Sequence, residues 1–421
     1  MNIHSAFAPR RLLLHHFVGA VVFLLALSSV ARAQPQAQPA AAVDRVTIKS
    51  TVLGEDRVIL VRTPAGYGTN TNRYPVLYMT DGDRHIGHTG STVEFLAGNG
   101  RMSELIVVGI TNTDRTRDLS PTHVATDAGG SGQRFPTSGG GDKFLSFIET
   151  ELIPEIEKRY RIHPYRVLAG HSLGGLFAIH AMLSRPALFN SWVAVSPALH
   201  WDNQVLVKRA DEFFKARKEL KGTLFVTLGR EPGPIDDAFY QLKQLLTKNQ
   251  PKGLEWEVLV MDDEDHGSVV LRSHYFGLRK IYSGWQISRD PDTGAVIAGD
   301  LKGVQEHYKQ LAGKFGYSVP IPENLINQVG YQLLFGGRAD DAIAAFKSNV
   351  ERYPNSANVY DSLAEAYERG GRLELAMPLY EKAKNLGQQN SDPNLAVYKT
   401  NFDRVSGKLK QAEAAKKNEE K

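Results

Sequence analysis

The pattern of apolar and polar positions changes near residue 74. Before it, two segments alternate apolar and polar residues across a turn at Leu53-Gly54-Glu55. This alternation predicts an antiparallel hairpin. After it come short runs that are almost wholly apolar, as expected for parallel strands covered on both faces. The hairpin comprises residues 46–50 and 57–63, and the apolar runs are residues 75–79, 105–110, 167–169, 191–195, 223–228 and 256–261.

Helical periodicity occupies most of the intervals between the apolar runs. The predicted helices are residues 142–160, 173–183, 205–220, 235–247 and 269–282. Strands that alternate with helices in this way form one mostly parallel sheet. The sequence therefore predicts an α/β fold on the α/β-hydrolase plan, with eight strands over residues 45–284.

The C-terminal third of the chain shows an internal repeat. Residues 285–322 are predicted to form a linker and a connecting helix. In residues 323–386 the triplet Gly336-Gly337-Arg338 recurs 34 positions later as Gly370-Gly371-Arg372, which predicts a small all-α domain of two tetratricopeptide-like repeats. Two repeats cannot bury a solenoid face alone. We expect the preceding helix and the capping helix and charged tail of residues 387–421 to cover them, or the repeats to dock on the α/β domain.

The N-terminus has the features of a signal peptide. Arg10 and Arg11 precede an apolar stretch of residues 17–30, and Ala31-Arg32-Ala33 follows it. We therefore predict a signal peptide at residues 1–33, a flexible leader at 34–44, and an exported protein, periplasmic or secreted, without an integral membrane span after cleavage. An uncleaved anchor is the alternative, although the apolar run is short for a span.

Charge and cysteine content exclude several classes of function. Cleavage removes three arginines and no acidic residue, so the formal charge falls from +4 to +1. This balance gives no electrostatic basis for a nucleic-acid partner. The chain has no cysteine, which excludes disulfides, thiolate metal sites and a cysteine nucleophile.

The chemistry of the chain is centred on a G-x-S-x-G motif, Gly170-His171-Ser172-Leu173-Gly174. It lies between an apolar run and a predicted helix. A strand that turns directly into a helix at this motif presents the central serine at the carboxyl edge of the sheet. The motif therefore predicts Ser172 as a nucleophile. The side chain of His171 should point away from that of Ser172 and serve in packing.

The partners of a serine nucleophile should follow it in the order acid and histidine, at the ends of later strands. His266 lies in a loop between the last predicted strand and the last predicted helix, and is the expected general base. Glu231 directly follows the strand of residues 223–228 and is the first candidate for the acid. Asp236 or Asp237 is the alternative, and so is a Ser–His dyad without an acid.

An oxyanion hole requires two backbone N–H donors. Leu173, immediately after the nucleophile, is the first candidate, and the amide of Asp83 in the loop after the third strand is the second. His85 and His88 form an H-x-x-H, but no further ligands accompany them. We expect them to be loop residues, with no metal and no organic cofactor in the reaction.

Six motifs, taken in order, resemble those of the esterase-D-like esterases. They are LYMTDGD (77–83), NTDRTRDLSPTH (112–123), GGDKFLSFIETELIPEIEKRYR (140–161), GHSLGG (170–175), SPALHWDN (196–203) and DHGSV (265–269). The family includes the ferric enterobactin and bacillibactin esterases and, more distantly, the mycolyltransferases. The resemblance spans roughly residues 45–283. It implies Ser172 and His266 as catalytic residues, and a second oxyanion donor just after the Asp-Gly pair.

The resemblance also implies two substrate-binding residues. An arginine and an aromatic residue surround the catecholate in the siderophore esterases, and Arg115 and Trp201 match them by position. Pairing of Arg115 with Asp118 and simple packing of Trp201 are the alternatives. The family has two tryptophans where this chain has His200-Trp201. Because of this departure, the resemblance does not predict the acyl-group preference of this chain.

These features lead to the hypothesis of an exported serine hydrolase that cleaves carboxylic esters through an acyl-enzyme. A siderophore lactone, a feruloyl or acetyl polysaccharide ester and a simple acyl ester remain open as substrates. An acyltransferase of the mycolyltransferase-like type is one alternative. The other is a binding scaffold with a vestigial hydrolase domain. The repeats could bind a protein partner, mediate self-association or brace the active-site rim.

Overall fold

The computed structural model describes residues 43–125, 134–217 and 219–419. The predicted signal peptide lies outside the described residues. The first strand begins at Val43, inside the segment predicted as leader. Within the described part of the chain, no helix combines the length and apolar character needed to cross a membrane.

One eight-stranded sheet organises the first domain, in the order β1-β2-β4-β3-β5-β6-β7-β8. The hairpin β1–β2 and the β2–β4 pair are antiparallel, and every other pair is parallel. The prediction of an eight-stranded, mostly parallel α/β-hydrolase sheet is therefore confirmed. The strands are β1 Val43–Ser50, β2 Glu55–Arg62, β3 Tyr74–Met79, β4 Ile106–Ile110, β5 Ile162–His171, β6 Ser191–Val195, β7 Glu219–Leu228 and β8 Lys252–Val260.

Side chains of the central strands point alternately to the two faces of the sheet and contribute to a separate apolar core on each face. Successive side chains of a strand point to opposite faces. Leu168 and Trp192 lie in one apolar cluster, whereas Val167 and Val193 lie in another on the opposite face. The helices that cover these faces are α1 Gly82–Gly98, α2 Arg115–Leu119, α3 Gly141–Phe147, a π-helical turn Ile148–Leu152, α4 Ile153–Arg159, α5 Leu173–Ser184, α6 Trp201–Ala216, α7 Pro234–Asn249 and α8 Val269–Ile281.

Two helix predictions differ from the structure. The segment of residues 205–220 was predicted to be helical throughout, but α6 ends at Ala216 and β7 begins at Glu219. The helix α1 was not predicted, because its four glycines lower helix propensity. A Cβ on Gly82 would lie 2.3 Å from the backbone of Gly109. Glycine at that position is thus required by the close approach of α1 to β4.

The connection from β5 to α5 is unusually tight. A Cβ on Gly170 would lie 2.2 Å from the carbonyl oxygen of Gly174, and one on Gly174 would lie 2.2 Å from the Thr80 hydroxyl. Contacts of this length are impossible for real side chains. The glycines of the G-x-S-x-G motif therefore permit the strand and the helix to meet across a single residue, Ser172.

The remaining helices form a C-terminal all-helical region. They are α9 Leu301–Phe315, α10 Glu323–Phe335, α11 Ala339–Arg352, α12 Ala357–Arg369, α13 Leu373–Gln389 and α14 Leu395–Glu419. The α10–α11 and α12–α13 connections share the Gly-Gly-Arg triplet, and Gly337 and Gly371 both have positive φ, 78° and 72°. Both hairpins therefore turn in the same way, as a 34-residue repeat requires. Their assignment as tetratricopeptide repeats stays a prediction.

Helix α9 joins the two parts of the chain. Its Val304 lies in the apolar core of the helical region, whereas its Leu311 and Phe315 lie in a core of the sheet domain. The Phe315 ring stacks on Tyr282 at 4.8 Å between centroids. At the other end, α14 packs on α13 and buries Tyr398 and Val405. The two hairpins are thus covered on both sides.

The tight β5–α5 connection leads to a stability prediction. Gly170→Ala should lower the free energy of unfolding by about 1–3 kcal/mol, because the new methyl group meets backbone atoms rather than a movable side chain. Urea unfolding measures the effect. Gly87→Ala is the matched control, since a Cβ there meets no atom within 4 Å, and it should raise stability by up to about 1 kcal/mol. Equal stabilities for the two variants would contradict this account.

Candidate active site

Ser172 occupies a strained turn at the carboxyl end of β5. Its φ and ψ are 61° and −116°, a region that costs about 1–3 kcal/mol for a residue with a side chain. Backbone hydrogen bonds hold it there. Its amide donates to the Val195 carbonyl, and its own carbonyl accepts from the amides of Leu176 and Ala198. The turn is therefore held on both sides, and the half-buried Ser172 lies at the carboxyl edge of the sheet.

His266 and Glu231 meet at the same edge, in the loops that follow β8 and β7. His266 Nδ1 lies 2.5 Å from Glu231 Oε2, and the Glu231 side chain is 9% exposed. Asp236 and Asp237 lie instead in the first turn of α7. Of the three candidate acids, Glu231 is thus the one that contacts the imidazole.

The environment of Glu231 favours its ionised form. Burial alone would raise the pKa of this carboxyl group, but hydrogen bonds with the His266 ring and the Ser196 hydroxyl outweigh burial and lower the pKa. An ionised acceptor at Nδ1 requires the proton of His266 to sit on that nitrogen when the ring is neutral. The Nε2 atom is then left as a proton acceptor.

The two amides predicted to bind an oxyanion both lie at helix N-termini. Leu173 is the first residue of α5, and Asp83 is the second residue of α1. The first amides of a helix have no intrahelical acceptor; here Leu176 donates to Ser172 and His85 to Asp81, one turn later. Because a Cβ on Gly174 would touch Thr80, the two turns are in close contact. Leu173 and Asp83 therefore remain the candidate donors.

Arg115 is bound to the turn that precedes α1. Its Nε and Nη2 atoms donate to the Asp81 carboxylate at 2.6 and 3.1 Å, and Nη2 also donates to the His171 carbonyl at 3.0 Å. Burial would raise the pKa of Asp81, but Arg115 and Asn112 lower it. The alternative pairing with Asp118 is absent among the hydrogen bonds of Arg115, since Asp118 pairs with Arg57 and Arg117. One third of the Arg115 side chain stays exposed.

Trp201 is packed rather than open. Its side chain is buried, its Nε1 donates to the Thr122 carbonyl at 3.2 Å, and its ring lies 5.1 Å from that of Phe135. A role in substrate contact would be limited to the small part of the indole that is exposed. Of the two predicted substrate-binding side chains, that of Arg115 is therefore the more accessible to solvent.

Several histidines lie behind the site. His85 and His88 are on α1 and not in a loop as predicted, and they cluster with His171 and with His274 of α8. Within residues 43–125, 134–217 and 219–419, no group of three or more His, Asp or Glu side chains is arranged to hold a metal ion. Burial is the main cause that lowers the pKa of His85 and of His171, each to about 4. These rings are therefore neutral near pH 7.

Sequence reasoning missed the roles of Asp81 and of the His171 side chain. Asp81 had appeared only as part of an Asp-Gly turn. His171 was expected to serve in packing, but its Nε2 lies 2.7 Å from the His266 carbonyl oxygen. No local pattern predicts either contact, because each partner is distant in the chain.

The sheet order, the turn at Ser172 and the Glu231–His266 pair define an α/β-hydrolase. Residues 50–224 match the model of the family described as Putative esterase. The ferri-bacillibactin esterase of Bacillus subtilis is 29% identical over 219 residues, which are 47% of this chain and 75% of that protein. Over these residues the chain is similar to this esterase family, and it is a carboxylic ester hydrolase.

Solved structures extend the comparison beyond the sheet domain. An IroE-like serine hydrolase from Shewanella oneidensis is 27% identical with a TM-score of 0.62, covering 74% of this chain and 99% of that one. A protein from Capnocytophaga ochracea is 16% identical with a TM-score of 0.66, covering 87% and 100%, and shows the fold alone. Both matches are longer than the sheet domain of this chain, so they include helical-region residues.

The pairing of Glu231 with His266 predicts the effect of removing the carboxylate. Glu231→Gln should lower kcat by about 10²–10⁴-fold, because the amide no longer stabilises a protonated imidazole or holds its tautomer. Steady-state hydrolysis of an aryl ester measures this. Asp236→Asn is the control and should leave kcat within about twofold. A larger loss for Asp236→Asn would reassign the acid.

The buried histidines predict a pH dependence of stability. His85 and His171 take up a proton near pH 6.5 in the unfolded chain but only near pH 4 in the folded one. The unfolded state therefore binds more protons between these values, and the free energy of unfolding should fall as the pH falls from 6.5 to 4. Urea unfolding across this range measures the slope. His85→Phe should make it shallower, and an unchanged slope would refute the assignment.

Proposed function

We propose that this chain is an exported serine esterase that works through an acyl-enzyme, with Ser172 as nucleophile, His266 as general base and Glu231 as the acid that orients the imidazole. The observation that carries the proposal is the 2.5 Å contact of His266 Nδ1 with the largely buried Glu231, at the sheet edge where Ser172 occupies a strained strand-to-helix turn. Such a turn is the setting in which α/β-hydrolases present their nucleophile.

The reaction follows from these positions. Ser172 Oγ attacks the ester carbonyl while His266 Nε2 accepts its proton, and the amides of Leu173 and Asp83 stabilise the oxyanion. The tetrahedral intermediate collapses as the imidazolium returns the proton to the leaving alcohol, which gives the acyl-enzyme. Water then attacks the acyl carbon with His266 again as base, and release of the carboxylic acid restores Ser172.

The substrate class we propose is the ester bond of a siderophore lactone. The name of the Bacillus subtilis relative supports this class for a chain of the same family. The Arg115 side chain is one-third exposed and donates a hydrogen bond to the residue before the nucleophile, so its positive charge lies where an anionic catecholate would bind. We expect Arg115, rather than Trp201, to contact such a ligand, because the Trp201 indole is buried.

Export and the helical repeats complete the proposal. Residues 1–33 have the composition of a cleaved signal peptide, which would place the enzyme in the periplasm or outside the cell. The hairpins α10–α11 and α12–α13 have the 34-residue spacing of tetratricopeptide repeats. We propose that they bind a protein partner or a second copy of the chain.

Hydrolysis of short-chain aryl esters tests the mechanism. Ser172→Ala should lower kcat/KM by at least about 10³-fold and abolish labelling by a fluorophosphonate, because both depend on the same hydroxyl. Ser146→Ala on α3 is the control and should behave as wild type. Equal rates for wild type and Ser172→Ala would remove the serine mechanism.

Comparison of kcat/KM for different esters with the wild-type enzyme distinguishes the substrate classes. We expect kcat/KM to be highest for a ferric triscatecholate lactone, compared with a feruloyl or acetyl polysaccharide ester and a simple aryl ester. Hydrolysis should yield the free acid even when glycerol is present. Transfer of the acyl group to glycerol as the main outcome would reassign the chain as an acyltransferase.

A further inference from the structure

His171 makes two contacts that join separate parts of the active site. Its ring donates from Nε2 to the His266 carbonyl oxygen at 2.7 Å, and its ring centroid lies 4.6 Å from that of His266. Its own carbonyl accepts from Arg115 Nη2. The residue before the nucleophile thus contacts both the base loop and the arginine that binds Asp81.

The loop that carries His266 lies at the protein surface. Asp265, Gly267 and Ser268 are exposed, and the His266 side chain itself is 41% exposed. A loop in this setting has few buried apolar contacts to fix it. Glu231 restrains the His266 ring at Nδ1, but it does not restrain the backbone of the residue. Within the loop, the Asp265 carboxylate accepts from the amides of Gly267 and Ser268. The His171 ring binds the His266 carbonyl from outside the loop and ties this local turn to the strand that carries Ser172.

The chemistry of the contact determines the form of the ring. A carbonyl oxygen only accepts hydrogen bonds, so Nε2 of His171 must carry the proton. The ring is buried, and the His85 ring stands against it at 5.9 Å with an interplanar angle of 80°. A neutral, Nε2-protonated imidazole packed in this way can donate in one direction only, toward His266.

We propose that His171 is a positioning residue that holds the backbone of His266 so that its Nε2 faces Ser172. The inference rests on the proposed Ser172–His266 mechanism and deepens it. His171 does not touch the ester or transfer a proton. Its effect reaches the reaction through the placement of the base, and displacement of a catalytic group by about 1 Å can cost about 10²-fold in rate.

Two substitutions at this position separate donation from packing. His171→Phe keeps a planar ring but removes the donor, and should lower kcat by about 10–100-fold with KM within about threefold. His171→Gln retains an N–H at a similar reach and should restore kcat to within about threefold of wild type. The rate of fluorophosphonate labelling of Ser172 should follow kcat in both variants, because it reports activation of the hydroxyl without substrate binding.

The controls distinguish this inference from the proposed function. His163→Phe changes the same residue type at the opposite end of β5 and should leave kcat unchanged. If Ser172→Ala abolishes activity while His171→Phe keeps the wild-type kcat, the positioning role is refuted and the serine mechanism stands. If His171→Gln and His171→Phe lose equal activity and equal stability to urea, the role of the ring is packing. If Ser172→Ala retains activity, the proposed function itself fails.

Discussion

The close approach of β5 and α5 is the constraint on which the rest of this structure depends. The strand and the helix meet across one residue, and Gly170 and Gly174 leave no space between them for a Cβ. Ser172 therefore adopts φ of 61°, at a local cost in free energy. The two cores on either side of the sheet, which hold β5 and α5 among fully buried residues, offset that cost.

Around this turn, hydrogen bonds connect four loops that are distant in the chain. Asp81, in the loop after β3, binds Arg115, which also binds the His171 carbonyl. The His171 ring contacts the His266 carbonyl, and the His266 ring contacts Glu231 after β7. The carboxylates of Asp81 and Glu231 are both largely buried, and each accepts a hydrogen bond from a nitrogen donor. Removing one partner of a buried pair leaves a charge without compensation, so these contacts restrain one another.

The helical region also depends on burial of apolar faces between neighbouring elements. Two hairpins cannot cover their own apolar faces. Helix α14 covers one side, and α9 places Val304 in the helical core and Phe315 among the aromatic rings of the sheet domain. A single helix thus belongs to both cores.

The sequence alone determined the parts of this protein that depend on local pattern. Runs such as residues 191–195 match a strand to the residue, since a strand buried on both faces is apolar throughout. The positions of Ser172, His266 and Glu231 at strand ends followed from the motif and the order of the strands. Helix α1 and the first half of β5, residues 162–166, were missed, because glycines in the helix and polar residues in the strand hide the periodicity.

Only the tertiary structure decided which of these groups meet. That Glu231 rather than Asp236 binds His266, that Arg115 binds Asp81 rather than Asp118, and that His171 donates to His266 all depend on how loops from different strands converge. Spacing in the chain carries no information on such contacts, because they are set by the register and twist of a sheet whose strands are joined by long crossovers. The short-range physics of the backbone places each residue at the edge, and the packing of the whole domain selects its partner.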